Sequence, residues 1–146
     1  MGAEGAIKIR RFSMKKTGCL NSELSYTLAK LGHFDQITVG DCGLPIPKEV
    51  QRIDLAVNFG IPSFYQVFEV IDMEAKFQKV IIASESAEHN PEFYNYIRDW
   101  ASSRGVELSV VPHEEFKKKT HDSVAVVRTG ECNPYANVIL ESNVSF

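Results

Sequence analysis

The sequence predicts an α/β protein, a single-domain three-layer α/β/α sandwich around a mostly parallel sheet. Three observations predict it. Short β-branched runs alternate with amphipathic helical stretches along the chain, as layered α/β folds require. The clearest strand, residues 79–83 (Lys-Val-Ile-Ile-Ala), shows little alternation and so reads as buried on both faces. Helix starts and stops are marked by capping residues and by Gly or Pro.

The first helix opens at Leu20-Asn21-Ser22-Glu23, where Asn21 or Ser22 can cap a free N–H and Glu23 suits the positive dipole end. Leu24, Leu28 and Leu31 recur at i, i+4, i+7 as an apolar stripe. Gly32 is expected to end this helix in a left-handed conformation, leaving His33 just past its C-terminus. Residues 36–40 form a short strand with Asp41 at its C-terminal end, where parallel sheets commonly bind ligands. Gly43-Leu44-Pro45-Ile46-Pro47 is a stiff loop, since two prolines exclude a helix or a central strand.

Residues 52–57 read as the second strand. Gly60-Ile61-Pro62 turns the chain, and Ser63-x-x-Gln66 is a capping box for a helix with the stripe Phe64, Val67, Phe68 and Ile71. After strand 79–83, Asn90-Pro91-Glu92 starts a helix that buries Phe93, Ile97 and Trp100 and stops at Gly105. Strand 106–111 leads through Pro112 into a short helix with acids first and Lys117-Lys118-Lys119 last, matching the dipole. Strand 123–128, a polar loop at 129–137 and a final strand at 138–140 complete the domain.

At 146 residues the length fits one domain, and 44% apolar content is ordinary for a globular protein. A formal charge of −3 leaves no basic footprint for nucleic acid, and no apolar run reaches the roughly 18 residues of a membrane span. Cys19, Cys42 and Cys132 are odd in number and form no C-x-x-C, so free thiols are expected. Residues 1–13 lack the hydrophobic stretch of a secretory signal, and a second methionine follows at Met14. The N-terminal 1–13 are read as an extension or leader, and 14–146 as the functional domain.

The sequence contains no G-x-G-x-x-G, P-loop or G-x-S-x-G motif. His33, His89, His113 and His121 show no H-E-x-x-H or H-x-H spacing, so no metal site is predicted. What remains is a set of polar groups where α/β folds keep ligands. His33 and Asp41 flank one strand, His113 follows another, and Tyr135 and Asn137 lie in the polar loop. Each also has a plain reading as a cap, turn-former or helix-end residue.

Many separate motifs then occur in one order. They are Met-Lys-Lys-Thr-Gly at 14–18, Leu-Asn-Ser at 20–22, Leu-Gly-His at 31–33 and Asp41-x-Gly-Leu-Pro-Ile-Pro. Arg-Ile-Asp-Leu-Ala at 52–56, Gly-Ile-Pro-Ser-Phe at 60–64, His-Glu-Glu-Phe-Lys at 113–117 and Arg-Thr-Gly-Glu-Cys-x-Pro-Tyr-Ala-Asn at 128–137 follow. By these the chain resembles the D-ribose pyranases, the RbsD branch of the RbsD/FucU sugar mutarotases. Cys42 departs from the alanine usual at its position.

The resemblance implies an isomerase interconverting the pyranose and furanose forms of D-ribose, cytoplasmic and without a cofactor. It implies His33 as the catalytic acid and Asp41, His113, Tyr135, Ala136 and Asn137 as sugar-binding residues. It also implies a ring-based homo-oligomer, such as a decamer, with sites near subunit contacts, and neither nucleic-acid nor membrane partners. Ring opening and reclosure need only proton transfer, which groups with pKa near 7 perform well. A mutarotase for another sugar such as L-fucose, and a non-catalytic sugar-binding subunit, are the competing readings.

Overall fold

The structure, a computed structural model, describes residues 14–146, so the expected N-terminal leader lies outside the described residues. Helix α1 (Ser22–Lys30) is capped by Asn21, whose Oδ1 accepts the Leu24 N–H at 2.8 Å. Leu24 and Leu28 are buried on its inner face. Strand β1 (Gln36–Gly40) follows, then β2 (Gln51–Asp54). Helix α2 (Phe64–Glu74) carries the predicted capping box: Ser63 Oγ accepts the Gln66 N–H at 3.2 Å, and Gln66 Oε1 accepts the Ser63 N–H at 2.8 Å.

Strand β3 (Phe77–Ala83), the one-turn helix α3 (Ser86–His89) and helix α4 (Pro91–Arg104) come next. Asn90 caps α4, and Gly105 ends it at φ 67°, a left-handed conformation that glycine adopts freely. Strand β4 (Glu107–Val111), helix α5 (His113–Lys119), a 3-10 turn (Thr120–Asp122), β5 (Ala125–Arg128) and β6 (Val138–Ser142) complete the chain.

The six strands form one sheet in the order β2-β5-β1-β6-β3-β4. The pairs β2–β5, β5–β1 and β3–β4 are parallel, and β6 runs antiparallel to both of its neighbours. The sheet is thus mixed but mostly parallel. Alternation along each central strand divides two cores. Ile37, Val39, Val80, Ile82, Ala125, Val127, Val138 and Leu140 face one side, packed with α1, α2 and α4. Ile81, Val126 and Ile139 face the other, under Phe116 of α5 and Leu44 and Val50 of the proline-stiffened loop. This is the expected three-layer arrangement.

The first layer is tied by aromatic side chains. Phe64 meets Phe93 edge-on at 5.1 Å, and Phe68 meets Trp100 edge-on at 4.9 Å. Fully burying one such Phe contributes about 1.5–3 kcal/mol, and edge-on pairing adds to it. No described helix is long and apolar enough to cross a membrane.

Two local expectations are corrected. The left-handed residue after α1 is Phe34 (φ 75°), not Gly32. Leu31 is already extended, and Asp35 Oδ2 accepts the Gly32 N–H at 2.8 Å, which moves the turn two residues on. The second strand ends at Asp54 rather than continuing to 57, because Asp54 Oδ1 accepts the Ala56 N–H at 3.1 Å and turns the chain.

Candidate active site

Antiparallel β6 separates two parallel blocks, β2-β5-β1 and β3-β4. The loop that feeds β6 must therefore enter between them, at the C-terminal edge of β1, β3 and β4. A crevice at this edge is where open α/β sheets bind ligands. A cavity of about 330 Å³ lies there, lined by residues that include Asp41, Cys42, His113, Glu131, Tyr135 and Asn137. That volume is at the small end of ligand pockets and suits a monosaccharide-sized guest.

Asp41 enters from the end of β1. Its Oδ1 accepts the Gly43 N–H at 3.0 Å. Burial pushes its carboxyl above the ordinary range, opposed by N–H donors of Gly43 and Leu44, by Asn137 and by the charge of His113. Asn137 stands just before β6, buried, with Oδ1 accepting the Asp41 N–H at 2.7 Å. The approach needs Gly40, where a Cβ would lie 3.0 Å from Asn137 Oδ1 and 2.6 Å from a Leu44 methyl.

His113 opens α5 after β4. Its backbone N–H donates to the Glu85 carboxylate at 2.9 and 3.3 Å, which fixes the start of the helix. The imidazole stacks on Phe116 and meets the Tyr135 ring edge-on at 5.1 Å. Two buried polar atoms of this site have no hydrogen-bond partner among the described residues, His113 Nδ1 and Asn137 Nδ2. Buried polar groups are rarely left unpaired, because each costs about 1–3 kcal/mol. Both atoms lie at the one cavity.

Tyr135 adopts φ 61°, a left-handed conformation that costs a non-glycine residue energy and that clusters at functional sites. Its carbonyl accepts the Asn137 N–H at 2.9 Å across Ala136. The Ala136 side chain points into the main core, so only its backbone is available to the cavity.

Glu131 was not singled out by sequence reasoning, yet it holds the loop. Its buried carboxylate accepts the Phe64 N–H at the start of α2 at 3.0 Å and the Asn133 Nδ2 at 2.8 Å. Asn90 Nδ2 donates to Pro134 O at 2.9 Å, and Gly130 packs so closely on the 58–61 turn that a Cβ would lie 2.4 Å from Ile61 O. The available signal was the Gly-Glu-Cys run inside the 128–137 motif, where an acid sits among apolar and small residues.

The structure thus brings Asp41, His113, Tyr135 and Asn137 around one cavity, with Ala136 behind them. His33 is not among the lining residues. It is exposed at the opposite end of β1, stacked on Phe34 at 3.8 Å, with Nε2 2.9 Å from Gln78 Oε1. Asp35 is occupied in the turn with Gly32.

Comparison with known proteins gives the chain its relatives. Residues 14–145 match the RbsD / FucU transport protein family. The chain is 50% identical to the D-ribose pyranase of Psychromonas ingrahamii over 91% of this chain and 100% of that protein. It is 49% identical to the D-ribose pyranase of Geobacillus kaustophilus over 91% of this chain and 96% of that one. The structure of Bacillus subtilis RbsD complexed with D-ribose superposes with a TM-score of 0.86 at 44% identity, covering 91% of this chain and 100% of the other. The L-fucose complex of the Streptococcus pneumoniae fucose mutarotase, at 24% identity and TM-score 0.69, shares the fold over 86% of this chain and 94% of its own. On sequence and fold together, the chain belongs to the RbsD / FucU transport protein family.

Proposed function

We propose that this chain is a D-ribose pyranase, an isomerase that interconverts the pyranose and furanose forms of D-ribose. The observation that carries the reading is the pair of unpartnered buried atoms, His113 Nδ1 and Asn137 Nδ2, beside the Asp41 carboxylate in one small cavity. A sugar hydroxyl both donates and accepts, so a polyol can satisfy all three groups together. Identity of 44–50% to ribose-acting or ribose-bound relatives supports ribose over L-fucose.

The reaction opens a hemiacetal and recloses it through a different hydroxyl. A base takes the proton of the anomeric hydroxyl while an acid protonates the departing ring oxygen. The 4-hydroxyl then attacks the open aldehyde in place of the 5-hydroxyl, with the two roles reversed. In this reading Asp41 and His113 receive and orient the sugar hydroxyls, one of them acting as base, and Tyr135 and Asn137 hold the ring. General acid–base help of this kind contributes about 10²–10⁴-fold.

His33 is the acid in this reading. Strand β1 separates it from the cavity of its own chain, so the acid arrives from a neighbouring copy in a homo-oligomer whose sites lie at subunit contacts. Exposed apolar residues beside both features support such contacts: Phe34 next to His33, and Val57, Phe59 and Ile61 on the turn that packs against Gly130. The proposed setting is the cytoplasm, where ribose is taken up.

Magnetisation-exchange NMR tests the function. Catalytic amounts of protein are expected to speed pyranose–furanose exchange of D-ribose more than exchange of L-fucose or galactose. Binding of ribose with no faster exchange would instead make the chain a sugar-binding subunit.

A further inference from the structure

Two of the three cysteines line the sugar cavity, one on each wall. Cys42 follows Asp41, and Cys132 follows Glu131. The Cys42 N–H donates to Glu131 O at 2.9 Å. That bond sets the Cys42 backbone against the peptide that joins Glu131 to Cys132. A disulfide spans a Cα separation of about 4.4–6.8 Å, so two cysteines whose flanking backbones are joined by one hydrogen bond are candidates for it. The two cysteines line the same cavity. Among the described residues no cluster of three or more His, Cys, Asp or Glu side chains could hold a metal ion.

We propose that Cys42 and Cys132 are a paired-thiol modification site, which a peroxide oxidises to a disulfide that bridges the two walls and closes the cavity to sugar. Cys132 is exposed and reacts first, whereas the Cys42 thiol is pushed up by burial and by its neighbour. The Cys132 thiolate attacks one peroxide oxygen, the O–O bond breaks, and a sulfenic acid and one water form. The Cys42 thiol then attacks that sulfur, the S–S bond forms, and a second water leaves. One hydrogen peroxide is reduced to two waters while two thiols lose two electrons and two protons. A thiol reductant reverses the bridge. Cytosolic disulfides are typically transient and regulatory, which suits a pair that rests reduced.

The bridge itself is independent of the ribose reading, whereas its consequence rests on that reading, and the test separates them. Full-length protein is treated with stoichiometric hydrogen peroxide, digested without reduction and mapped by mass spectrometry, with ribose exchange followed in parallel. The expected result is a Cys42–Cys132 peptide pair, loss of ribose exchange, and recovery of both with dithiothreitol. Cys19, which is buried, stays reduced and serves as the internal control. The ribose exchange rate of Cys42→Ala, taken relative to its own untreated value, is expected to be unchanged by the same treatment.

Failure to find the 42–132 pair, or pairing of either thiol across two chains instead, overturns the site. A bridge that forms while ribose exchange is unchanged overturns the closure of the cavity. A reduced protein that exchanges no ribose overturns the function, while the peptide map still decides the dithiol.

Discussion

Mixing two inactive variants tests whether the acid crosses between subunits. Strand β1 has five residues, Gln36–Gly40. At about 3.3 Å per residue its ends are roughly 13 Å apart, before adding the turn that carries His33 and the step to Asp41. General acid–base transfer requires about 2.6–3.2 Å between heavy atoms, or one bridging water. A His33 in its own chain therefore cannot protonate a sugar held by Asp41. Replacing His33 by Ala, or Asp41 by Ala, is expected to cost each uniform oligomer about 10²–10⁴-fold in exchange rate. In a one-to-one mixture assembled at random, a site needs its pocket from the His33→Ala chain and its acid from the Asp41→Ala chain. That occurs in about one site in four for a contact between two different surface patches, so about a quarter of the wild-type rate returns. The assay is ribose exchange by NMR on co-expressed variants, with native mass spectrometry verifying mixed oligomers. Mixed oligomers that show no gain over the uniform variants refute the shared site.

Two further predictions concern the groups that shape the cavity. Burial raises the folded pKa of Asp41 above its unfolded value, so the folded state holds this proton more tightly. Stability is then greatest below the unfolded pKa and falls as pH rises towards the folded one. Asp41→Asn removes that titration, so its melting temperature relative to wild type, measured without sugar, rises from about pH 3 to about pH 7; a difference that stays flat with pH removes Asp41 as the source. Glu131→Ala leaves the buried Phe64 N–H and Asn133 without their acceptor, a loss of about 1–3 kcal/mol. For a chain of this length that lowers the melting temperature by roughly 2–12 °C, and calorimetry should show weaker ribose binding as the 129–137 loop loosens. Glu131→Gln keeps one acceptor and should lose less on both counts.

The elements were legible because their signals are local. The Ser63–Gln66 capping box, the Asn90-Pro91 start and the Gly105 stop each act through neighbours within four residues, and all three form as read. The near-continuous apolar run of β3 likewise matches a strand covered on both faces. The turn after α1 was misplaced because a side-chain bond from Asp35 competes with the glycine preference at Gly32, and propensity alone cannot rank the two.

The cavity was legible only by kind of residue. Sequence by itself determined the layered α/β class, the helix caps, the polar groups at strand ends and the motifs that tie this chain to its family. Only the tertiary structure decided which of those groups meet. The antiparallel insertion of β6 depends on pairing between strands roughly 100 residues apart, and no local propensity encodes it. That insertion carries Tyr135 and Asn137 to Asp41, sets Cys132 beside Cys42, and leaves His33 at the far end of β1. The same strand that brings His33 and Asp41 within eight residues in sequence holds them apart in space, because an extended chain gains length with every residue it adds.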